Sequence, residues 1–172
     1  MKRSIFFLLA LVAMTGLAKN VVVERPAFRS LMKNFNYRAD IWPVKVELTK
    51  HATVVHFHVA RAARSSWSTD GGWLEVDGRQ FAYQKGRILT HDGSKVLADD
   101  DLELGKDYER NAQRDSLILY FEPLPKGTKT FDYIGGDAPN AWTVYGIRRD
   151  KKLYPELLPA HQEREGDGEP LE

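Results

Sequence analysis

The chain has 172 residues, with 25 Lys and Arg against 24 Asp and Glu, a formal charge of +1 and no cysteine. Without cysteine, a disulfide framework, a thiol redox centre, a thiolate metal site and a lipidated N-terminal cysteine are all excluded. The balanced charge removes the electrostatic basis for nucleic-acid binding, which needs a clustered excess of Lys and Arg.

Met1-Lys2-Arg3 precedes an apolar run from Ile5 to Met14, followed by small residues at Gly16 and Ala18. This order predicts a secretory signal peptide over residues 1–18, cleaved after Ala18. The apolar run is too short to cross a bilayer, which takes about 20 residues, so no membrane span is expected after cleavage. Removing residues 1–18 takes away Lys2 and Arg3 and no acid, leaving 23 basic against 24 acidic residues. Export without disulfides points to a bacterial periplasmic or extracellular protein whose stability comes from a packed core.

The first periodic segment is Phe28, Leu31, Met32 and Phe35, an i, i+3, i+4, i+7 set without a cap. It reads equally as a loop or as one or two helical turns. Val44, Val46 and Leu48 then alternate with polar residues, and Val55, Phe57 and Val59 alternate with His56 and His58. Period two marks half-buried strands, and Lys50 to Thr53 joins them as a hairpin.

Asp77-Gly78 between two alternating runs is a type I′ turn signal. It sets Val76 against Arg79 and Leu74 against Phe81, with Leu74, Val76, Phe81 and Tyr83 on one face. Asp92-Gly93 suggests a second such turn, with Leu89 opposite Val96 and Ile88 opposite Leu97. Leu117 to Phe121 is apolar on both faces and predicts a central strand covered on both sides, ended by Pro123 and Pro125. Lys126-Gly127-Thr128 turns the chain into Thr130 to Ile134, and Trp142 to Ile147 forms the last strand. These elements predict an all-β, immunoglobulin-like antiparallel β-sandwich of about seven to nine strands over residues 19–150. Residues 151–172, polar and rich in acid and glycine, read as a disordered tail.

The strings Val22-Val23-Glu24-Arg25-Pro26-Ala27-Phe28, Val46-Glu47-Leu48-Thr49 and Phe121-Glu122-Pro123-Leu124-Pro125-Lys126 carry a family likeness, as does Phe131-Asp132-Tyr133-Ile134-Gly135-Gly136-Asp137 running into Trp142 to Ile147. Together they resemble the N-terminal, non-catalytic domain that precedes a thioredoxin-like module in exported TlpA-like proteins of the Bacteroidetes type. The resemblance implies a fold and a compartment. The family's Cys-x-x-Cys redox activity cannot be carried over to a chain without cysteine. An accessory module standing alone is what it suggests, with Asp150 to Pro159 as a linker remnant.

Candidate chemistry is sparse. His56 and His58 project from one strand face and could begin a metal site, but no third ligand follows nearby, so they read as sheet-face histidines. Asp99-Asp100-Asp101-Leu102-Glu103 lacks the alternating spacing of a calcium loop and reads as a solvated acidic loop. Ser65, Ser66, Ser94 and Ser116 lie outside any nucleophile elbow, and His91-Asp92 falls at a turn. Gly71-Gly72 and Gly135-Gly136 are turn glycines without a following helix to hold phosphate. Neither a catalytic centre nor a cofactor is expected.

Trp67 and Trp73 flank the polar stretch Ser68-Thr69-Asp70-Gly71-Gly72. If exposed, their rings could form a platform for a glycan or a protein partner, and if packed they would seal the sandwich, whereas Trp42 and Trp142 are expected in the core. The sequence therefore predicts a non-catalytic accessory module that binds an envelope protein, or alternatively a carbohydrate-binding module.

Overall fold

The computed structural model describes residues 20–32, 41–59, 66–92, 94–109, 115–138 and 141–149. Every regular element in them is a strand. In chain order they are β1 (Val21–Glu24), β2 (Ser30–Met32), β3 (Ile41–Leu48), β4 (Thr53–Val59), β5 (Ser66–Trp67), β6 (Trp73–Val76), β7 (Arg79–Asp92), β8 (Lys95–Asp101), β9 (Tyr108–Glu109), β10 (Asp115–Phe121), β11 (Thr130–Ile134) and β12 (Thr143–Arg148). The proposed signal peptide and C-terminal tail lie outside the described residues.

All pairings are antiparallel. The first sheet runs β1-β3-β4-β10-β7-β8 and the second β7-β6-β11-β12-β2, with β5 and β9 forming a separate ribbon. The 14-residue β7 belongs to both sheets. Its first residues pair with β6, and from Tyr83 onward it pairs with β10 and later with β8. The change of partner coincides with a register shift between Tyr120 and Phe121 of β10. An extra residue in one strand bends the ladder, which is how a strand turns a sandwich corner.

The expected faces form, except that Val44 falls at the register shift of β3 and stays outside the core. Val46, Val55, Phe57, Leu117, Leu119 and Phe121 of the first sheet meet Leu74, Phe81, Phe131, Tyr133, Val144 and Ile147 of the second in one continuous core. The Phe57 ring lies 4.7 Å from that of Tyr133, and the Phe121 ring 6.0 Å away, so these aromatics bridge the two sheets. Each such side chain, taken fully out of water, contributes about 1.5–3 kcal/mol. The result is an all-β antiparallel sandwich.

The β6–β7 hairpin has the register set by Asp77-Gly78, with Leu74 opposite Phe81 and Val76 opposite Arg79. Both turn residues have positive φ, 50° and 77°, as a type I′ turn requires. In the β3–β4 hairpin Val46 faces Val55, while a register shift between Pro43 and Lys45 absorbs the proline within β3. The central position of β10 is also observed, between β4 and β7. Its outward-facing Ile118, like Val54 on β4 opposite Tyr120, is buried although neither belongs to the inter-sheet core.

Three expectations are corrected. Ser30–Met32 is a strand on the edge of β12, with Leu31 opposite Val144, rather than a loop or helical turns. The open edge of β12 supplies backbone partners, and Arg29 N–H to Tyr145 O (2.8 Å) and Arg148 N–H to Ala27 O (2.8 Å) extend the contact. Phe35 lies outside the described residues. The second hairpin turns one residue later than expected: Asp92 faces Lys95, and a shift after Thr90 places Leu89 opposite Asp99 and Ile88 opposite Asp100. Finally, Asp99, Asp100 and Asp101 are not in a loop but end β8, alternating across its two faces.

Candidate functional site

The end of the sandwich where β7 changes sheet gathers the polar loop between the two candidate tryptophans. Thr69 is buried there, and its hydroxyl accepts from Gly71 N–H at 3.1 Å while its carbonyl accepts from Gly105 N–H at 3.0 Å. The segment between β8 and β9 is fastened beside it: Leu102 N–H donates to Gly86 O at 2.9 Å, and Glu103 N–H to the Tyr108 hydroxyl at 2.8 Å. Gly71 lies against the Tyr83 ring, leaving no room for a side chain.

Beneath this loop the Tyr133 phenol is fully buried. Burial raises its pKa well above the ordinary 10.0. The Thr69 hydroxyl beside it counters part of that shift, yet no group meets hydrogen-bond geometry with the phenol oxygen. Burial also raises the pKa of Tyr83, with Tyr108 and Asp101 nearby acting in the same direction. Both phenols are thus held protonated at neutral pH and suit packing and proton donation rather than base or nucleophile chemistry.

Trp73 begins β6 on the outer face of the second sheet, opposite Ile134 on one side and Ala82 on the other. It is half-buried, and its indole Nε1 is enclosed without a hydrogen-bond partner. Register places Trp67 opposite Tyr108 in the β5–β9 ribbon, and its side chain lies outside the described structure. The two tryptophans therefore sit on different sheets. Tyr133 points inward and Trp73 outward, so their two unpartnered donors do not converge on one ligand position.

His56 and His58 both lie on the outer face of the first sheet, as their spacing requires. His56 Nε2 is 2.8 Å from Glu47 Oε1, and Lys45 Nζ is 3.0 Å from the same oxygen. Burial works against the Glu47 carboxylate, but its bonds to Lys45 and His56 outweigh that and lower its pKa. For His56 burial is the largest influence and lowers the pKa, with the Glu47 contact opposing it. His58 packs its ring on Trp42, centroids 4.6 Å apart. No group of three His, Cys, Asp or Glu side chains with metal-site geometry occurs among the described residues.

Other acids are also engaged. Arg87 pairs with Asp99 across β7 and β8, Asp132 accepts from Gly146 N–H at 2.6 Å, and Glu122 accepts from Ala82 N–H at 3.1 Å. Nothing in the spacing of Tyr83, Tyr108 and Tyr133 along the sequence marks them as neighbours of this end of the sandwich. No helix among the described residues is long and apolar enough to cross a membrane. No family model, curated protein or solved structure matches the chain.

Proposed function

We propose that this chain is an exported, non-catalytic β-sandwich module that works by holding a protein partner in the bacterial envelope. The residue strings likened above to the accessory domain of TlpA-like proteins support this reading. So does the layout of residues 1–18. The observation that carries it is the employment of the polar groups: Glu47, His56, Asp99, Asp132 and Glu122 are bound into the ladders they flank, as structural ion pairs and bulge contacts.

Site-specific photo-crosslinking in the intact envelope tests this. One recurrent protein adduct is the expected result. Recovery of background alone, with the protein folded and exported, would overturn it.

A carbohydrate-binding role is the second reading, favoured by the incomplete burial of Trp73 on an outer sheet face beside Ile134. Trp67→Ala and Trp73→Ala should then each abolish retention on a polysaccharide panel while the fold survives. A wild-type protein retained by no glycan rules that role out.

A further inference from the structure

We infer that the free edge of β8 is a docking site for an extended, basic segment of a partner protein, which adds to the first sheet as a further strand. This rests on the protein-interaction reading above and names the surface and the chemistry of the partner.

Within the first sheet β7 has β10 on one side and β8 on the other, and β8 pairs with nothing else among the described residues. In an antiparallel ladder alternate residues turn their N–H and C=O groups away from the neighbouring strand, so an outermost strand presents a row of unpaired donors and acceptors. Such edges recruit extended peptides by backbone pairing, with side chains setting the choice.

The side chains here are distinctive. Among the described residues four large hydrophobics are exposed, and three of them, Val96 (48%), Leu97 (49%) and Leu104 (48%), lie on β8 or the turn that follows it. Clustered exposed apolar groups mark contact surfaces, whereas scattered ones do not. Next to them stand Asp99, Asp100 and Asp101. Arg87 pairs with Asp99, and no described side chain forms an ion pair with Asp100 or Asp101.

Charge selects the occupant. Lys95–Asp101 carries one cation and three carboxylates, so two copies of β8 laid edge to edge would bring together strands of the same net sign. Asp100, opposite Ile88, also turns a carboxylate toward the inner side of the sheet, a device that discourages indiscriminate strand addition. A segment alternating Lys or Arg with apolar residues would satisfy the backbone and set its cations on the face that carries Asp99 and Asp101, with their aliphatic stems over Val96.

The test uses the full chain and an alternating lysine–valine heptapeptide, with fluorescence anisotropy for affinity and amide hydrogen exchange for location. Binding that slows exchange across residues 95–101 is expected, weakening with added salt. An Asp100→Lys, Asp101→Lys double variant should bind about tenfold or more weakly while keeping its near-ultraviolet circular dichroism. The same peptide N-methylated at alternate residues should fail to bind, because it retains the charge but cannot complete the ladder. Equal binding of the N-methylated peptide or of a glutamate–valine heptapeptide overturns the inference, as does unchanged exchange at 95–101. Self-association of the wild type that the double variant abolishes would give the edge to a second copy and equally overturn it. Should crosslinking in the envelope find a recurrent partner attached elsewhere, the docking site is wrong and the accessory role stands.

Discussion

Gly72 packs so closely against the peptide of Ile134 that a Cβ on it would lie 1.9 Å from the Ile134 carbonyl oxygen. This contact carries the polar loop over the end of β11, and Gly72 makes it with a φ of +65°. Gly78 has a similar φ of +77°, with nothing within 4 Å of the same position. Gly78→Ala should therefore cost about 1 kcal/mol for backbone strain alone. Gly72→Ala, which must also displace a backbone carbonyl, should cost more than about 2 kcal/mol. Urea unfolding of both variants checks this, and equal costs would show that the close approach is readily relieved.

Tyr133 presents the opposite case. Its ring joins the sheets through Phe57 and Phe121, but its hydroxyl is buried without a hydrogen bond. Tyr133→Phe keeps the ring and removes the orphaned group, so stability should be unchanged or rise by about 1 kcal/mol. A loss of that size, seen in the urea midpoint, would mean that the hydroxyl has a partner.

Thr53 is buried at the start of β4, and its hydroxyl accepts from Leu124 N–H at 3.0 Å, tying down the segment after β10. Thr53→Val preserves the shape and strands that N–H. The expected destabilisation is about 1–3 kcal/mol. Thr53→Ser, which retains the acceptor, should recover part of it, as thermal melts would show.

His56 and Glu47 make stability depend on pH. The folded pKa of His56 lies below its ordinary 6.5, so the unfolded chain binds the proton more readily. Its contribution is complete above about pH 6.5 and declines as pH falls through the folded value. The folded pKa of Glu47 lies below its ordinary 4.5, and its contribution is lost at lower pH in the same direction. The melting temperature should thus be level near neutrality and drop in two stages on acidification. His56→Gln should flatten the first stage and leave the second, and an unchanged profile in that variant refutes the assignment.

Where the sequence could be read, the physics was local. Asp77-Gly78 specifies its own turn because only residues tolerant of positive φ fit there, and period two then carries the register along β6 and β7. The inward faces of β3 and β4 follow from the same alternation, and the two-sided covering of β10 from an apolar run that does not alternate. The candidate site was less legible. His56 and Glu47 lie on adjacent strands and could be aligned through the hairpin, whereas Tyr83 and Tyr133 meet the polar loop from separate strands and Tyr108 holds the segment after β8.

The sequence alone determined the strand character of the chain, the facing of the β3–β4 and β6–β7 hairpins and the absence of thiol chemistry, because these depend on residue type and on neighbours one or two positions away. Only the tertiary structure decided that Ser30–Met32 completes a sheet, that β7 serves two sheets at once and that the acidic run ends an edge strand. Each of those outcomes is set by which distant backbone offers unpaired amides and carbonyls. A residue pattern with period two or four does not encode that identity, and packing the two sheets against each other does.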